Sequence, residues 1–295
     1  METQNKSRGV DNIMQATIGV IGNGFVGNAI AKGFQGKVSE VRVYDIDKDK
    51  TTHGYVETIG SDYVFICLPT PMVDAEGGEC NLSIIEKFFE ELPRIIEGTV
   101  IIKSTVPVGT TESLSKKYPH LNIIHSPEFL TASNAEDDFI HADRHIFGGD
   151  YDLSYGVRKL FDTCFPHSPS VSMKSKESEL VKYFSNCFLA SKVMVFNEMK
   201  LLCEKIEDID YETIVFGVGM DGRIGNSHTK VPGPDGDYGF GGTCFPKDIN
   251  ALIHTMEQYG VNPLVLKSVW EQNKNCRKNW DWAENSSAVM SEKIQ

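Results

Sequence analysis

One cysteine, Cys244, stands in the run GFGGTCFPKD, between a glycine cluster at residues 239–242 and a Phe-Pro-Lys-Asp segment. The glycines allow the backbone to bend sharply and to approach a ligand closely. Pro246 suits the first turn of a helix, so Cys244 is predicted to lie just before a helix N-terminus, with Lys247 nearby. Both a helix N-terminus and an ammonium stabilise a thiolate. A reactive thiol and an inert, buried cysteine are both compatible with this stretch.

A glycine-rich turn near the N-terminus has the residues for binding a dinucleotide. The β-branched run TIGVI (17–21) meets GNGFVG (22–27), a helical pattern follows, and the next β-like run, VRVYDID, contains Asp45. Such glycines let backbone N–H groups approach a pyrophosphate, and the acid accepts hydrogen bonds from the adenosine ribose. A carboxylate there repels a 2′-phosphate, which favours NAD over NADP; the alternative is a glycine-rich turn beside a solvated Asp45. The predicted cofactor contacts in the turn are Gly22, Asn23, Gly24, Phe25, Val26 and Gly27.

Further β-like runs follow at residues 62–71, 99–109, 121–130 and 145–150, and helical patterns such as LSIIEKFFEELPRII (82–96) separate them. This alternation predicts an α/β fold with a Rossmann-like, doubly wound and mostly parallel sheet. Ligands of such sheets bind beyond the carboxyl ends of the strands, where polar residues either contact the ligand or satisfy the loop backbone. The candidates at those ends are Pro69, Thr70, Ser104, Thr105 and Glu128.

The segment from Lys176 to Ile206 has no Gly or Pro, and its apolar residues recur at helical spacing. It predicts a helix of about 30 residues and about 45 Å, a length suited to a spine that joins domains or subunits. Lys182 and Asn186 lie four residues apart and share one face of this helix. An exposed helical lysine is commonly only solubilising, so spacing alone does not assign a role to Lys182.

The bulk composition narrows the class of protein. A net charge of −12 over 295 residues and a pI near 5.2 argue against a general binder of nucleic acid or anionic membrane, which needs a basic face. The 7 cysteines form no CxxC pair, and the 8 histidines show no metal-ligand spacing. We therefore expect a cytoplasmic protein without a metal. We expect neither a signal peptide nor a membrane span.

These patterns predict four segments along the chain. We expect a disordered N-terminal tail at 1–15 and an NAD-binding Rossmann-like domain at 16–174. A mainly helical domain at 175–282, built on the long central helix, is expected to carry Cys244. A polar C-terminal tail is expected at 283–295.

The motifs together resemble those of the UDP-glucose/GDP-mannose dehydrogenase family. The matching segments run in the family's order from residue 17 to about 275. They are GNGFVG, CLPTP, KSTVPVGTT, SPEFL, LVKYFSNCFLASKVMVFNE, DGRIG and GFGGTCFPKD. The resemblance implies that the enzyme oxidises the primary alcohol of a nucleotide sugar to a carboxylate and reduces two NAD, with UDP-glucose the expected substrate and UDP-glucuronate the product. It implies that Cys244 captures the intermediate aldehyde as a thiohemiacetal, which is oxidised to a thioester.

The resemblance also assigns roles to other residues. Lys182 and Asn186 are expected to handle the substrate oxygen. Asp248 and Thr105 are expected to position or activate water, and Glu128 to act as an acid–base group in thioester hydrolysis. The expected cofactor contacts outside the glycine turn are Asp45, Lys50, Pro69, Thr70, Ser104, Thr105 and Lys247. The expected substrate contacts are Glu128, Phe129, Leu130, Lys182, Asn186, Arg223, Lys230, Phe240 and Gly241.

The resemblance further implies a homodimer formed through the central helix, with the arginine at position 223 reaching the substrate of the neighbouring subunit. Three departures from the family pattern accompany it. Ala132 stands where the family has a second glutamate, and the segment between Asp45 and Asp62 lacks the family's longer helical insertion. The chain is also expected to lack the family's C-terminal domain, so that a remade site, a partner or a second copy holds the substrate nucleotide.

Two alternatives stay open at the level of sequence. A 3-hydroxyacid dehydrogenase has a similar NAD domain, a helical second domain and a Lys-x-x-x-Asn pair, but it performs a single oxidation and needs no cysteine. A catalytically silent protein that binds NAD or a nucleotide sugar is the other. The SPEFL and GFGGTCFPKD segments favour the dehydrogenase that performs two oxidations.

Overall fold

The computed structural model describes residues 13–93 and 96–290. The chain divides into two units, which are Met1–Pro69 with Leu82–Lys182, and Thr70–Asn81 with Tyr183–Gln295. The division falls after Lys182, whereas the sequence patterns place a boundary at 174. Among the described residues, none of the helices has the length and apolar character that crossing a membrane requires.

Both expected tails extend beyond the described residues. Of the N-terminal tail at 1–15, residues 1–12 lie outside the described part, and Ile13 is buried in the core of the first unit. Of the C-terminal tail at 283–295, residues 291–295 lie outside it. Ala288 and Val289 are buried and belong to the core of the second unit.

The first unit is built on a seven-stranded sheet. Its strands are β1 (Thr17–Ile21), β2 (Glu40–Tyr44), β3 (Tyr63–Ile66), β4 (Thr99–Ile102), β5 (Asn122–His125), β6 (His145–Gly148) and β7 (Ser170–Met173). Their order is β2-β1-β3-β4-β5-β6-β7, and neighbours are parallel except β5 and β6, which are antiparallel. The prediction of a mostly parallel, Rossmann-like sheet is confirmed. Sequence patterns do not predict β7, because its sequence SVSM is short and half polar.

Helices occupy the connections between these strands. They are α1 (Phe25–Phe34), α2 (Tyr55–Ile59), α3 (Ser83–Glu91), α4 (Thr110–Lys117), α5 (Ala135–Ile140) and α6 (Tyr151–Cys164). The helix predicted at 82–96 is observed as α3, and residues 94 and 95 lie outside the described part. Adjacent residues of a strand point to opposite faces. Phe65 and Ile66 accordingly belong to two separate apolar clusters, so both faces of the sheet are covered.

The second unit is mainly helical. The long helix α7 (Ser175–Cys203) starts within the first unit and is followed by α8 (Tyr211–Gly219), α9 (Phe245–Gln258) and α10 (Leu264–Cys276). The long helix predicted at 176–206 is thus confirmed to within a few residues. The segment Thr70–Asn81 packs in this unit, where Met72 N donates to Ala288 O at 2.7 Å. Trp282 is fully buried, and its Nε1 donates to Ala75 O at 3.0 Å.

Replacing Trp282 with alanine is expected to lower the free energy of unfolding by about 3–5 kcal/mol, because a fully buried indole ring is lost. The matched control is Tyr259→Ala, since the Tyr259 side chain is 68% exposed. This control is expected to change the stability by less than about 0.5 kcal/mol. Urea unfolding followed by circular dichroism measures both variants. A loss for Trp282→Ala no larger than that of the control would contradict the packing described here.

Candidate active site

The glycine turn joins β1 to α1 at close range. A side chain at Gly27 would collide with the carbonyl of Gly22, so α1 can start this close to the turn only because residue 27 is glycine. Within the described residues no side chain caps the N-terminus of α1, and the first turn contains no acid. The first backbone N–H groups of the helix are therefore available to an anion such as a pyrophosphate.

Asp45 follows β2 and lies against this turn. Its Oδ2 accepts a hydrogen bond from Asn23 N at 2.5 Å, and its Oδ1 accepts one from Asp47 N at 2.9 Å. The buried Oδ1 of Asn23 has no hydrogen-bond partner in the part of the chain that the structure describes, although buried polar atoms normally have one. An unpaired acceptor beside a carboxylate fits a ligand with hydroxyl donors, such as the ribose of NAD. Lys50 meets the turn through its carbonyl, which accepts from Asn23 Nδ2 at 2.7 Å, while its ammonium is exposed.

The carboxyl ends of β3 and β4 carry further predicted cofactor contacts. Ser104 Oγ lies 2.6 Å from Leu68 O and so joins the segments that follow these two strands. Ser104 and Thr105 are both buried. Pro69 belongs to the first unit, whereas Thr70 belongs to the second. Their roles in cofactor binding stay predictions.

A buried ion pair connects α7 to the loop after β5. Lys182 Nζ donates to Glu128 Oε1 at 2.9 Å and to Glu128 O at 2.7 Å, and the two side chains are 3% and 7% exposed. Leu130 N donates to Glu128 Oε2 at 2.7 Å. Burial raises the pKa of Glu128, but the Lys182 charge and these hydrogen bonds outweigh it and hold the pKa below its usual value. Lys182 is therefore not a solubilising surface lysine.

Lys103 is a second buried lysine in the same region, and sequence patterns do not indicate it. A lysine directly after a β-like run resembles the solvated end of a strand. Its Nζ donates to Ser126 Oγ at 3.3 Å and to Pro127 O at 3.1 Å. Burial is the main cause that lowers the pKa of Lys103 to about 8. Lys103, Glu128 and the predicted substrate residue Phe129 line one cavity of about 300 Å³.

The second unit holds Cys244 at the start of a helix, as predicted. Helix α9 begins directly after it with Pro246 in the first turn, and Cys244 is partly buried. Lys247 and Asp248 form a close ion pair in this turn. Asp248 is buried, and its Oδ2 accepts a hydrogen bond from Asn186 Nδ2 at 2.6 Å. The structure thus brings three predicted site residues together in the helix turn that follows Cys244.

Two asparagines hold the backbone of the glycine cluster before Cys244. Asn197 Oδ1 accepts a hydrogen bond from Gly239 N at 2.8 Å, and Asn273 Oδ1 accepts one from Phe240 N at 2.7 Å. Sequence patterns do not indicate either asparagine. Both are buried in helices, so an Asn at a core position of a helical pattern was the signal that could have identified them.

The other predicted substrate residues of the second unit differ in their surroundings. A side chain at Gly241 would collide with the guanidinium of Arg277, which explains the glycine there. The Phe240 ring is buried and stacks on a tryptophan. Arg223 and Lys230 are exposed, and Arg223 pairs with the neighbouring aspartate. Among the described residues, no group of three His, Cys, Asp or Glu side chains is placed to hold a metal ion.

Two family models match the chain. The model of the UDP-glucose/GDP-mannose dehydrogenase family NAD binding domain matches residues 50–163. The model of the same family's central domain matches residues 176–275. Together they cover well over half of the chain, so the family resemblance inferred from the motifs is confirmed.

Known proteins agree with this assignment. The UDP-glucose 6-dehydrogenase of Rickettsia prowazekii is 34% identical over 252 residues, covering 82% of this chain and 56% of the relative. A UDP-glucose dehydrogenase structure from Pyrobaculum islandicum matches with a TM-score of 0.77 and 28% identity, covering 88% of this chain and 68% of that chain. The 3-hydroxyisobutyrate dehydrogenase of Mycobacterium tuberculosis matches with a TM-score of 0.66 and 17% identity, covering 88% and 92%, which shows a shared fold alone.

The chain therefore spans little more than half the length of the Rickettsia relative. The part that it shares with the relatives contains the glycine turn, the SPEFL loop and the cysteine segment. On these matches, the chain belongs to the UDP-glucose/GDP-mannose dehydrogenase family and contains its NAD-binding and central domains.

Proposed function

We propose that the protein catalyses the NAD-dependent oxidation of the primary alcohol of a nucleotide sugar to a carboxylate, with UDP-glucose as the first substrate to test. The observation that carries this proposal is the position of Cys244 directly before α9, with the Lys247–Asp248 ion pair in the first turn. A similar protein, from Rickettsia prowazekii, is a UDP-glucose 6-dehydrogenase. NAD-dependent oxidation of one alcohol requires no such cysteine, so the cysteine favours a reaction with a covalent intermediate.

Lys247 is the side chain that favours the thiolate form of Cys244. Burial lowers the pKa of Lys247, but interactions with Asp248 and Cys244 outweigh it and hold the pKa above its usual value. The ammonium therefore keeps its charge at neutral pH. A nearby positive charge and a helix N-terminus both stabilise a thiolate relative to the thiol, which makes Cys244 the expected nucleophile.

The proposed reaction consists of two oxidations and one hydrolysis. Bound NAD supplies the oxidising power, since each NAD takes one hydride from the alcohol carbon of the sugar. The first oxidation also releases the hydroxyl proton and gives an aldehyde, to which the Cys244 thiolate adds while the carbonyl oxygen gains a proton. Loss of a second hydride and of that hydroxyl proton gives a thioester. Water then attacks the thioester carbon, the C–S bond breaks, and the thiolate and the carboxylate product are released.

The other polar residues are proposed to stabilise charge and to move protons. Lys182 and Asn186 stabilise negative charge on the substrate oxygen. Glu128 accepts a proton from the attacking water, and its lowered pKa keeps it ionised and ready to do so at neutral pH. Thr105 and Asp248 position that water. Each role assigns to a residue a task that its charge or hydrogen-bonding groups can perform.

Substrate binding is proposed at residues 128–130, at Lys230 and in the loop that contains Phe240 and Gly241. Arg223, which is exposed, is proposed to reach the substrate of a second copy. The chain covers 56% of the Rickettsia relative, so the way in which the nucleotide is held is part of this proposal. All seven cysteines are free, which fits the expected cytoplasmic location.

A 3-hydroxyacid dehydrogenase is the second candidate, because the fold match to the Mycobacterium enzyme covers 92% of that chain. Such an enzyme transfers a single hydride and makes no use of a cysteine. The number of NADH formed per substrate molecule therefore separates the two reactions.

Incubation with UDP-glucose and excess NAD is expected to give two NADH for each UDP-glucuronate formed. Cys244→Ser is expected to lower the rate of acid formation by at least about 1,000-fold, because a serine hydroxyl is not ionised at neutral pH. Its affinity for NAD is expected to stay unchanged. Cys203→Ser, at the end of α7, is the matched control and is expected to keep both rate and stoichiometry. Absorbance of NADH and chromatography of the sugar product are the measurements.

Other outcomes point to the alternatives. One NADH per hydroxyacid substrate, with no requirement for Cys244, would support a 3-hydroxyacid dehydrogenase. No NADH from any nucleotide sugar, together with NAD binding, would support a binding protein. Continued acid production by Cys244→Ser would show that the nucleophile assignment is wrong.

We also propose that the protein forms a homodimer through α7. Five exposed apolar residues recur on this helix at intervals of three, four and seven: Phe184, Phe188, Val195, Met199 and Leu202. Such intervals place the side chains along one face of the helix. Exposed apolar stripes of this length are typical of interfaces, and a second copy offers the same stripe for an isologous contact.

Phe188→Asp is expected to convert the dimer into a monomer, because it places a carboxylate in the middle of the apolar stripe. The matched control is Val265→Asp in α10, since Val265 is 71% exposed and lies outside the stripe. Light scattering after size-exclusion chromatography gives the mass of each variant, and circular dichroism checks its fold. The dimer proposal fails if the wild type is a monomer or if both variants stay dimeric.

A further inference from the structure

Lys103 occupies a place in the first unit that the proposed catalytic steps do not use. It follows β4, and its ammonium donates hydrogen bonds to Ser126 Oγ at 3.3 Å and to Pro127 O at 3.1 Å in the loop after β5. Glu128 is the next residue of that loop. Lys103 is only 4% exposed, and both Lys103 and Glu128 line the cavity of about 300 Å³.

Three of the titratable side chains that interact with Lys103 carry no charge at neutral pH. Cys67 follows β3, His125 lies in β5 and His145 lies in β6. Burial raises the pKa of Cys67 to about 12. Burial also lowers the pKa values of His125 and His145 to about 3. The thiol and both imidazoles therefore do not offset the charge of Lys103.

The charged groups that remain in contact with this cluster are Lys103, Lys182 and Glu128. Two buried ammonium groups thus act on one buried carboxylate. The other titratable residues that line the cavity come from α5 and the segment after it, and all are at least partly exposed to solvent, which screens their charges. They are Asp138, His141, Asp143 and Arg144.

We propose that Lys103 is a positioning residue for Glu128: its ammonium fixes the Ser126–Pro127 backbone that carries Glu128, and its charge stabilises the ionised carboxylate. The role rests on the proposed function, in which Glu128 accepts a proton from water. Because Lys103 acts through Glu128, it is not itself expected to touch the reacting atoms.

The direction of the effect follows from the charges. The pKa of Lys103, at about 8, lies above the range in which a carboxyl with a lowered pKa titrates, so Lys103 is charged throughout that range. A nearby positive charge favours the ionised form of a carboxyl group. Removing the charge of Lys103 therefore raises the pKa of Glu128, and the basic form of Glu128 is then present only at higher pH. The acid limb of the rate profile moves upward with it.

Lys103→Gln tests this role, because glutamine keeps an N–H donor for the loop but removes the charge. Its kcat for acid formation at pH 6 is expected to fall by about tenfold relative to its value at pH 8, as one pH unit on the acid limb corresponds to tenfold. Lys103→Arg, which keeps a positive charge, is expected to restore the wild-type acid limb. The matched control is Lys37→Met, a partly buried lysine that lies over the Phe165 ring and is expected to leave the profile unchanged.

The measurements are kcat and KM for NAD between pH 5 and 9 on the full chain, with circular dichroism as the check of folding. If Lys103→Gln does not fold, Lys103→Met serves as the second uncharged variant. An acid limb that coincides in the wild type and the uncharged variant overturns the proposal, and so does an equal loss of rate at every pH. A rise of KM for NAD without any change of kcat also overturns it.

The proposed function and the role of Lys103 fail in different ways. If the wild type forms no NADH from any nucleotide sugar, the proposed reaction is wrong, and a titration decides the role of Lys103. Carbon-13 NMR of labelled glutamate, with Glu128→Gln to identify the signal, follows the carboxyl of Glu128 directly. A raised pKa of Glu128 in Lys103→Gln supports the electrostatic role, whereas an unchanged pKa overturns it.

Discussion

The buried ion pair between Lys182 and Glu128 is the interaction on which the catalytic part of the first unit depends. A buried charge without its partner costs several kcal/mol, so each of these side chains requires the other to stay in place. Glu179 reinforces the arrangement from the same helix, because it accepts hydrogen bonds from Gly109 N at 2.6 Å and Thr111 N at 2.9 Å. The start of α7 is therefore fixed to the loops that follow both β4 and β5.

The second unit satisfies a buried carboxylate in a similar way. Asp248 is paired with the ammonium of Lys247 through one oxygen and with the amide of Asn186 through the other. The backbone before Cys244 is held by asparagine side chains from α7 and α10, among them Asn273. Side chains from rigid helices thus fix both sides of the cysteine segment, and a nucleophile in a preorganised loop needs less rearrangement before it reacts.

Local patterns were enough to predict the main strands, the long helix and the position of Cys244 before a helix, because these features depend on neighbouring residues. The segment Thr70–Asn81 could not be assigned to the second unit in this way, since its hydrogen bonds join Met72 to residues more than 200 positions away. Lys103 and Asn273 were hidden for a related reason. Their importance comes from burial and from partners that lie elsewhere in the chain, and neither is encoded in the spacing of adjacent residues.

The proposed acid–base chemistry of the first unit depends on one carboxylate where the family has two. This chain has Ala132 in the place of the second glutamate. Thr131 beside it lines the cavity that Lys103 also lines, and its N–H donates to Asp138 Oδ2 at 2.7 Å. Asp138 is thus occupied in holding the turn. Since residue 132 brings no negative charge, the charge of Lys103 is left to act on Glu128, and the loss of one acid makes the remaining acid more readily ionised.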